Sequence, residues 1–264
     1  MPGNWKNNVK WKNNLSGGLA VVTVALIAIG VWQAIVWYWG LPKALLPTPK
    51  QTFDSAVMNR ESLLKGIYST ACAAVMGLAV AIALGSVISI ALSQSKWLRI
   101  AIFPYIILLQ TVPIVAVAPL LIIWSGYTFR SVVIVTVIVC LFPIVNSVAA
   151  GLTRIDQDMN DLFDLYKVSR AKRLQKLQIP SAINDLVIGS KTSSGLAVIG
   201  AIVAEFFVGN GTRYDGLGTL ITGWQALSKT DALIAALFAS AALGLAMFAT
   251  VHFIGAVVLR RWTS

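Results

Sequence analysis

Six apolar runs, each long enough to cross a lipid bilayer, constrain this chain more than any other feature of its sequence. They cover residues 19–39, 68–92, 100–124, 131–152, 186–208 and 232–259. A transmembrane helix needs about 20 mostly apolar residues, and soluble domains seldom carry several such runs. Charged residues make up only 12% of the chain, against roughly 25% in an average soluble domain. We therefore predict an all-α, multi-pass membrane protein.

The lysines and arginines are unevenly distributed around these runs. Six crossings place both termini on one side, and that side carries 13 of the 21 positive residues, against 7 on the other side. Because cytoplasmic loops are enriched in positive residues, we predict that both termini are cytoplasmic. Residues 1–18 then form a short cytoplasmic segment before a single transmembrane domain, residues 19–262. The net charge of +11 is thus interpreted as a topology signal and not as a nucleic-acid surface.

The loop between the fourth and fifth runs, residues 153–185, carries nearly half of these cytoplasmic positive charges. Its pattern predicts two short helices joined by a turn. The first contains an apolar cluster, and the second begins at Ser169 as N-cap and ends at Pro180. The cluster consists of Leu162, Phe163, Leu165 and Tyr166. Composition alone leaves open that this loop simply rests on anionic lipid headgroups.

The third run is rich in helix breakers. Pro104, Pro113 and Pro119 interrupt it, and Gln110 lies between the first two. Each interior proline frees a carbonyl, which lipid does not tolerate unless protein or water satisfies it. We therefore predict a kinked crossing that faces the interior of the helix bundle, with Gln110 and Pro113 as candidates for the translocation pathway.

The fifth run contains two charged residues, Lys191 and Glu205, fourteen positions apart. They fall on similar faces of one helix, about 21 Å apart along its axis, so they cannot pair within it. Both side chains could simply extend to the membrane boundaries. Alternatively, Lys191 and the nearby Ser194 line a path for an anionic solute, and Glu205 orders an outer gate through hydrogen bonds.

Residues 161–180 resemble the cytoplasmic signature of the ABC importer permeases. In that family an acid and two alanines are followed, after three intervening residues, by a glycine and, after nine more intervening residues, by an apolar-x-apolar-Pro ending. Here Asp161 takes the place of the acid, Lys167 of the glycine and Pro180 of the final proline, while Leu162 and Phe163 replace the alanines. Residues 110–120, 156–161 and 195–206 are similar to permeases that serve nitrate, bicarbonate, taurine, alkanesulfonates and vitamin precursors.

This resemblance implies the fold of a type I ABC importer, with six transmembrane helices and a cytoplasmic coupling helix between the fourth and fifth. The coupling helix would dock in a groove of a separate ATPase through residues of the loop, namely Asp161, Leu162, Phe163, Leu165, Tyr166, Lys167 and Pro180. A second permease copy, most simply identical, and an extracytoplasmic solute-binding protein would complete an importer in a bacterial-type inner membrane. The solute would be small and anionic or zwitterionic.

The chain has no G-x-x-x-x-G-K-[ST] phosphate loop, so ATP and Mg²⁺ are expected in the partner ATPase. No enzymatic activity, cofactor or metal site is expected in this chain. The alternative function is a secondary transporter coupled to ions through Lys191 and Glu205.

The glycine position of the family pattern makes a specific prediction about backbone conformation. If the turn requires a positive φ, lysine costs about 1 kcal/mol more there than glycine. We therefore predict either a left-handed Lys167 or a turn displaced toward Ser169.

Overall fold

The computed structural model describes residues 5–209 and 214–262, and side chains within residues 20–209 and 214–260. These residues form helices and connecting segments, without strands, which confirms the all-α prediction for this part of the chain. The α-helices are α1 (Trp5–Trp39), α2 (Pro49–Met58), α3 (Arg60–Gln94), α4 (Lys96–Thr111), α5 (Ile114–Ser125), α6 (Phe129–Thr153), α7 (Gln157–Leu165), α8 (Arg170–Arg173), α9 (Ile179–Val208), α10 (Leu217–Ala226) and α11 (Thr230–Trp262). The side chains of Lys6, Lys10, Lys12, Arg213 and Arg261, which entered the charge count, lie outside the described residues.

Five of the described helices are long and apolar enough to cross a membrane. They contain the first, second, fourth, fifth and sixth apolar runs of the sequence, with somewhat longer bounds. A sixth crossing is obtained when α4 and α5 are taken together as one broken span.

The third apolar run is not one kinked helix, and that prediction is wrong. α4 and α5 meet at an angle of 103°. Val112, between them, has an extended backbone with φ −76° and ψ 124°. Because a residue before proline is disfavoured in the helical region, Pro113 ends α4 at this point and then serves as the N-cap of α5. Most side chains of α4 are exposed in the single chain, whereas Ala118 and Ile122 of α5 are completely buried and α5 contacts α6 and α9. The placement of this crossing toward the bundle interior stays a prediction.

Two compact units can be distinguished in the chain. The larger one comprises residues 60–223 and 236–264, and its core consists of α3, α6 and α9. A stripe of small residues on α3 is buried, and it consists of Ala73, Gly77, Ala81, Gly85 and Ser89. A Cβ atom at Gly77 would overlap the side chain of Thr136 on α6. The stripe therefore allows α3 and α6 to approach closely.

The contact between α6 and α9 is the most extensive in this unit. The Ser193 hydroxyl donates to the Cys140 carbonyl at 3.2 Å, and the Cys140 thiol donates to the Ser193 carbonyl at 3.5 Å. This reciprocal pair satisfies polar groups that are completely buried.

The helix that follows the 154–169 loop does not end at Pro180, contrary to the sequence prediction. A π-helical turn at Leu174–Gln178 joins α8 to α9, so that one helix continues from Arg170 to Val208. Proline normally clashes with the carbonyl four residues earlier. In the wider π turn the Ile179 amide donates to the Leu174 carbonyl instead, and the Ser181 hydroxyl donates to the Leu177 carbonyl at 2.7 Å.

The smaller unit comprises residues 1–59 and 224–235. Thr48 and Gln51 form a capping box at the start of α2. Lys43 pairs with Asp231 at 2.9 Å, and the Thr230 hydroxyl donates to the Ala44 carbonyl at 2.5 Å. These contacts hold the segment after α1 against the start of α11.

Candidate functional site

The loop between α6 and α9 contains the predicted short helix, α7, and the predicted tight turn after it, whereas the second helix is the beginning of the long helix that continues into α9. Asp156 caps α7 by accepting from the Asp158 amide at 2.9 Å. At the other end of α7, the Lys167 amide donates to the Asp164 carbonyl at 3.0 Å, and the Val168 amide donates to the Phe163 carbonyl at 3.1 Å. These two bonds define a Schellman motif, which requires a left-handed residue after the helix.

Lys167 is that left-handed residue, with φ 49°. The first of the two predicted alternatives is therefore confirmed. The glycine of the family pattern is explained by the same geometry, because glycine adopts positive φ without steric cost. An ion pair between Arg173 and Asp164 links the second short helix to the first across the turn.

The apolar residues of this loop are largely uncovered in the single chain. Leu165 is 78% exposed, Tyr166 73% and Leu162 44%, whereas Phe163 is half-buried. Asp161 is exposed on the same short helix. Pro180 is not part of this surface, because it lies within the continuous helix that leads into α9. The exposed cluster can therefore provide an apolar contact for a partner with a matching groove.

Glu205, near the end of α9, is completely buried and surrounded by hydrogen-bond donors. The Thr70 hydroxyl lies 2.9 Å from both carboxylate oxygens, the Tyr214 hydroxyl 2.9 Å from Oε1, and the Gly218 amide 2.8 Å from Oε2. Thr70 also accepts from the Leu217 amide at 2.9 Å. We call these five residues the Glu205 cluster. It satisfies the first two amides of α10, where the positive end of the helix dipole favours a carboxylate.

Glycines allow α10 to begin against this carboxylate. A Cβ atom at Gly216 would overlap the carboxylate of Glu205, and one at Gly218 would overlap the Ile202 carbonyl. Tyr214 precedes them in the connecting segment, and burial together with the charge of Glu205 raises the pKa of its hydroxyl. That hydroxyl therefore stays protonated and remains a donor.

Lys191 has a different environment from Glu205, although both belong to α9. Its side chain is half-buried, and among the described residues it has no ion pair or side-chain hydrogen bond. A Cβ atom added at Gly255 of α11 would lie 3.4 Å from Lys191 Cε, so the aliphatic part of the side chain runs along α11. Ser194 is completely buried, and its hydroxyl donates to the Lys191 carbonyl at 2.7 Å.

The five pathway candidates from the sequence do not converge on one site. Gln110 and Pro113 are exposed at the break between α4 and α5. Lys191 lies beside α11, and Ser194 is enclosed between helices. Glu205 forms its hydrogen bonds within its own cluster and does not meet Lys191.

Sequence reasoning missed most members of the Glu205 cluster. Thr70 is 135 positions away from Glu205, and nothing in the sequence connects the two residues. The Gly-Leu-Gly at residues 216–218 is a signal that was available, because closely spaced glycines indicate a backbone that approaches another group.

Comparison with known proteins agrees with the helical architecture. Residues 77–264 match the family described as binding-protein-dependent transport system inner membrane component. The chain is 29% identical to the formylaminopyrimidine transport permease protein ThiX of Halalkalibacterium halodurans, over 86% of this chain and 89% of that protein. It is 26% identical to a probable ABC transporter permease protein of Haemophilus influenzae, over 89% and 94% of the two chains. With the nitrate import permease protein NrtB of Synechococcus elongatus it shares 25% identity over 96% and 93%.

Proposed function

The chain belongs to the family of binding-protein-dependent transport inner-membrane components, the multi-pass permeases of ABC transporters, and from this premise we propose that it forms half of the translocation path of an ATP-driven importer. The observation that supports a separate energy source most directly is the exposed apolar surface of the 154–169 loop. An exposed cluster of large apolar side chains on a rigid helix is typical of a protein interface.

We propose that this loop docks in a groove of an ABC ATPase. Leu162, Leu165 and Tyr166 would supply the apolar contact, and Phe163 would hold the end of α7 in place behind them. The charges around them, including Asp161 and Lys167, would fix the orientation of the partner. Pro180 would act indirectly, through the continuous helix that joins the loop to α9. ATP and Mg²⁺ would be bound by the partner, and both termini would lie on the same, cytoplasmic side.

The translocation path would form between two copies of the chain, with an extracytoplasmic solute-binding protein delivering the solute. Gln110 and Pro113 are exposed in the single chain, so they remain free to face a path between two copies. Glu205 would act as a positioning residue, because it fixes the start of α10 and thereby the gate at that end. The solute would be small and anionic or zwitterionic; the relative named for nitrate supports an anion, and the one named for formylaminopyrimidine supports a small organic molecule.

Co-purification tests the docking proposal. The tagged chain is purified from its native membranes in mild detergent, and the ATP hydrolysis that accompanies it is measured. Leu165→Asp is expected to abolish this activity, because the substitution places a charge in the apolar contact. Leu165 is a better target than Phe163, since its side chain is 78% exposed and the residue takes part in neither of the two hydrogen bonds that define the turn.

Lys167→Gly is the matched control in the same loop. Glycine removes about 1 kcal/mol of left-handed strain and restores the family pattern, so the ATPase should remain bound. ATPase activity that persists with Leu165→Asp would contradict the docking proposal. Uptake of nitrate or taurine into proteoliposomes that depends on an ion gradient and not on ATP would instead favour the secondary transporter.

A further inference from the structure

An apolar cavity of about 350 Å³ lies between α3, α9 and α11, within the larger unit. The lining residues are apolar except for Ser190 and Thr250, and the hydroxyl of Thr250 donates to the Ala246 carbonyl of its own helix. The lining includes Val75 and Ala79 of α3. Along α11, the cavity extends from Met247 to Val258. We call this cavity the α11 slot.

The length of the α11 slot along its helix corresponds to one leaflet of a bilayer. Met247 and Val258 are eleven residues apart on one helix, which is about 16 Å at 1.5 Å per residue. Half of the hydrocarbon core of a bilayer is about 15 Å thick. On α9 the slot begins at Ile183 and Leu186, on either side of Asp185, whose carboxylate lies 3.7 Å from the Arg154 guanidinium. This ion pair marks the end of the slot nearest the 154–169 loop, so the slot runs inward from the membrane boundary.

Lys191 provides a charge at the edge of this slot. Its aliphatic part passes Gly255, which is itself a lining residue, and its ammonium has no anionic partner among the described side chains. Lysines in such positions extend toward the headgroup region. An apolar slot with a positively charged edge matches an amphiphile that has an acyl chain and an anionic head.

We propose that the α11 slot binds an acyl chain of an anionic phospholipid, from the leaflet on the side of the 154–169 loop, with Lys191 facing the phosphate. The bound chain would fill the space that α3, α9 and α11 enclose beside the direct contact of Gly255 with Val187. The lipid therefore acts as a structural element that completes the packing of these three helices.

Native mass spectrometry of the purified full chain tests this assignment. The protein in mild detergent is titrated with 1-palmitoyl-2-oleoyl-phosphatidylglycerol or with the matching phosphatidylcholine, and bound lipids are counted per protomer. We expect one retained phosphatidylglycerol, bound about fivefold more tightly than phosphatidylcholine. Equal affinity for the two lipids, or retention of neither, would overturn the proposal.

Two substitutions on neighbouring residues of α3 locate the lipid. Ala79→Phe fills the slot and is expected to weaken phosphatidylglycerol binding about tenfold. Val80→Phe adds the same side chain at the next residue, which is 40% exposed and does not line the slot, so binding should be unchanged. Wild-type affinity in Ala79→Phe, or equal losses in both variants, would refute the location.

Lys191→Met separates the headgroup from the acyl chain, and it remains informative if Ala79→Phe does not fold. The variant should still retain a lipid but lose the preference for phosphatidylglycerol, and Lys191→Arg should preserve that preference. A Lys191→Met protein that keeps the full preference but loses solute uptake would overturn the lipid role and assign this lysine to the translocation path.

Discussion

Glu205 and Lys191 are two charged residues on the same helix, and their side chains differ in burial and in hydrogen bonding. Glu205 is completely buried, and donors from α3, α10 and the connecting segment converge on its carboxylate. Lys191 is half-buried and has no charged partner among the described residues. The carboxylate of Glu205 is fully hydrogen-bonded within the folded chain, whereas the ammonium of Lys191 is paired with no described carboxylate.

The contrast shows why a charge in a membrane segment has to be judged by its surroundings. Removing one partner from a buried and fully bonded group leaves other polar groups without partners, which is costly. Removing a charge that has no partner leaves no other polar group unpaired, and it lowers the free-energy cost of inserting the helix into the membrane. The two residues should therefore respond differently to the same kind of substitution.

The largest effect is expected for Glu205→Ala. This change leaves the donors of Thr70, Tyr214 and Gly218 buried without an acceptor, at about 1–3 kcal/mol for each donor that finds no other. We expect loss of the folded protein, or a reduction of several kcal/mol in its free energy of unfolding. Thermal unfolding of the purified chain in detergent measures this. Glu205→Gln keeps one acceptor and the side-chain volume, so it should be affected less, and equal stability of Glu205→Ala and the wild type would contradict the structural role.

Gly218→Ala tests the close approach of α10 to α9. The added Cβ atom would overlap the Ile202 carbonyl, so α10 must shift away from the carboxylate. We expect a loss of about 1–3 kcal/mol in stability, the usual range for overpacking. Gly223→Ala, on the same helix, is the control, because a Cβ atom there meets nothing within 4 Å. If the two substitutions lowered the unfolding temperature equally, the close approach at Gly218 would not be the cause.

Tyr214→Phe should have a smaller effect, because Thr70 and the Gly218 amide continue to bind the carboxylate. The loss of one hydrogen bond corresponds to about 1 kcal/mol. A double-mutant cycle with Thr70→Val measures whether the two donors act together. Strict additivity of the two substitutions would show that the cluster is not a coupled unit.

The smallest effect on stability is expected for Lys191→Met. An intramembrane lysine costs about 2.5–3.5 kcal/mol on insertion scales when it is near the helix centre. Its removal should leave the free energy of unfolding unchanged or raise it, as measured in lipid-free detergent. A loss as large as that of Glu205→Ala would eliminate the contrast between the two residues.

The sequence predicted the parts of the fold that depend on local pattern. The apolar runs indicated the spans, and the spacing of the family signature indicated the left-handed residue at Lys167. The break at Val112 was also available locally, because proline restricts the residue before it. The apolar pattern, however, continues without interruption from residue 100 to 124, which favours a kinked single helix.

The parts that could not be predicted depend on distant contacts. The approach of Thr70 to Glu205 is a consequence of how α3 packs against α9, and a single sequence contains no record of that packing. Pro180 was expected to end a helix because its ring clashes with a regular α-helical turn. The π turn that accommodates it has no distinct sequence pattern in Leu174–Gln178.

The unbroken helix from Arg170 to Val208 has a mechanical consequence. Its 39 residues correspond to about 58 Å, nearly twice the thickness of the hydrocarbon core. One end adjoins the exposed apolar loop and the other carries Glu205, the anchor of α10. Because the helix is continuous, a force on the loop is transmitted along it toward the residue that anchors α10. The helix is expected to bend at the π turn, because the spacing of the backbone hydrogen bonds changes there.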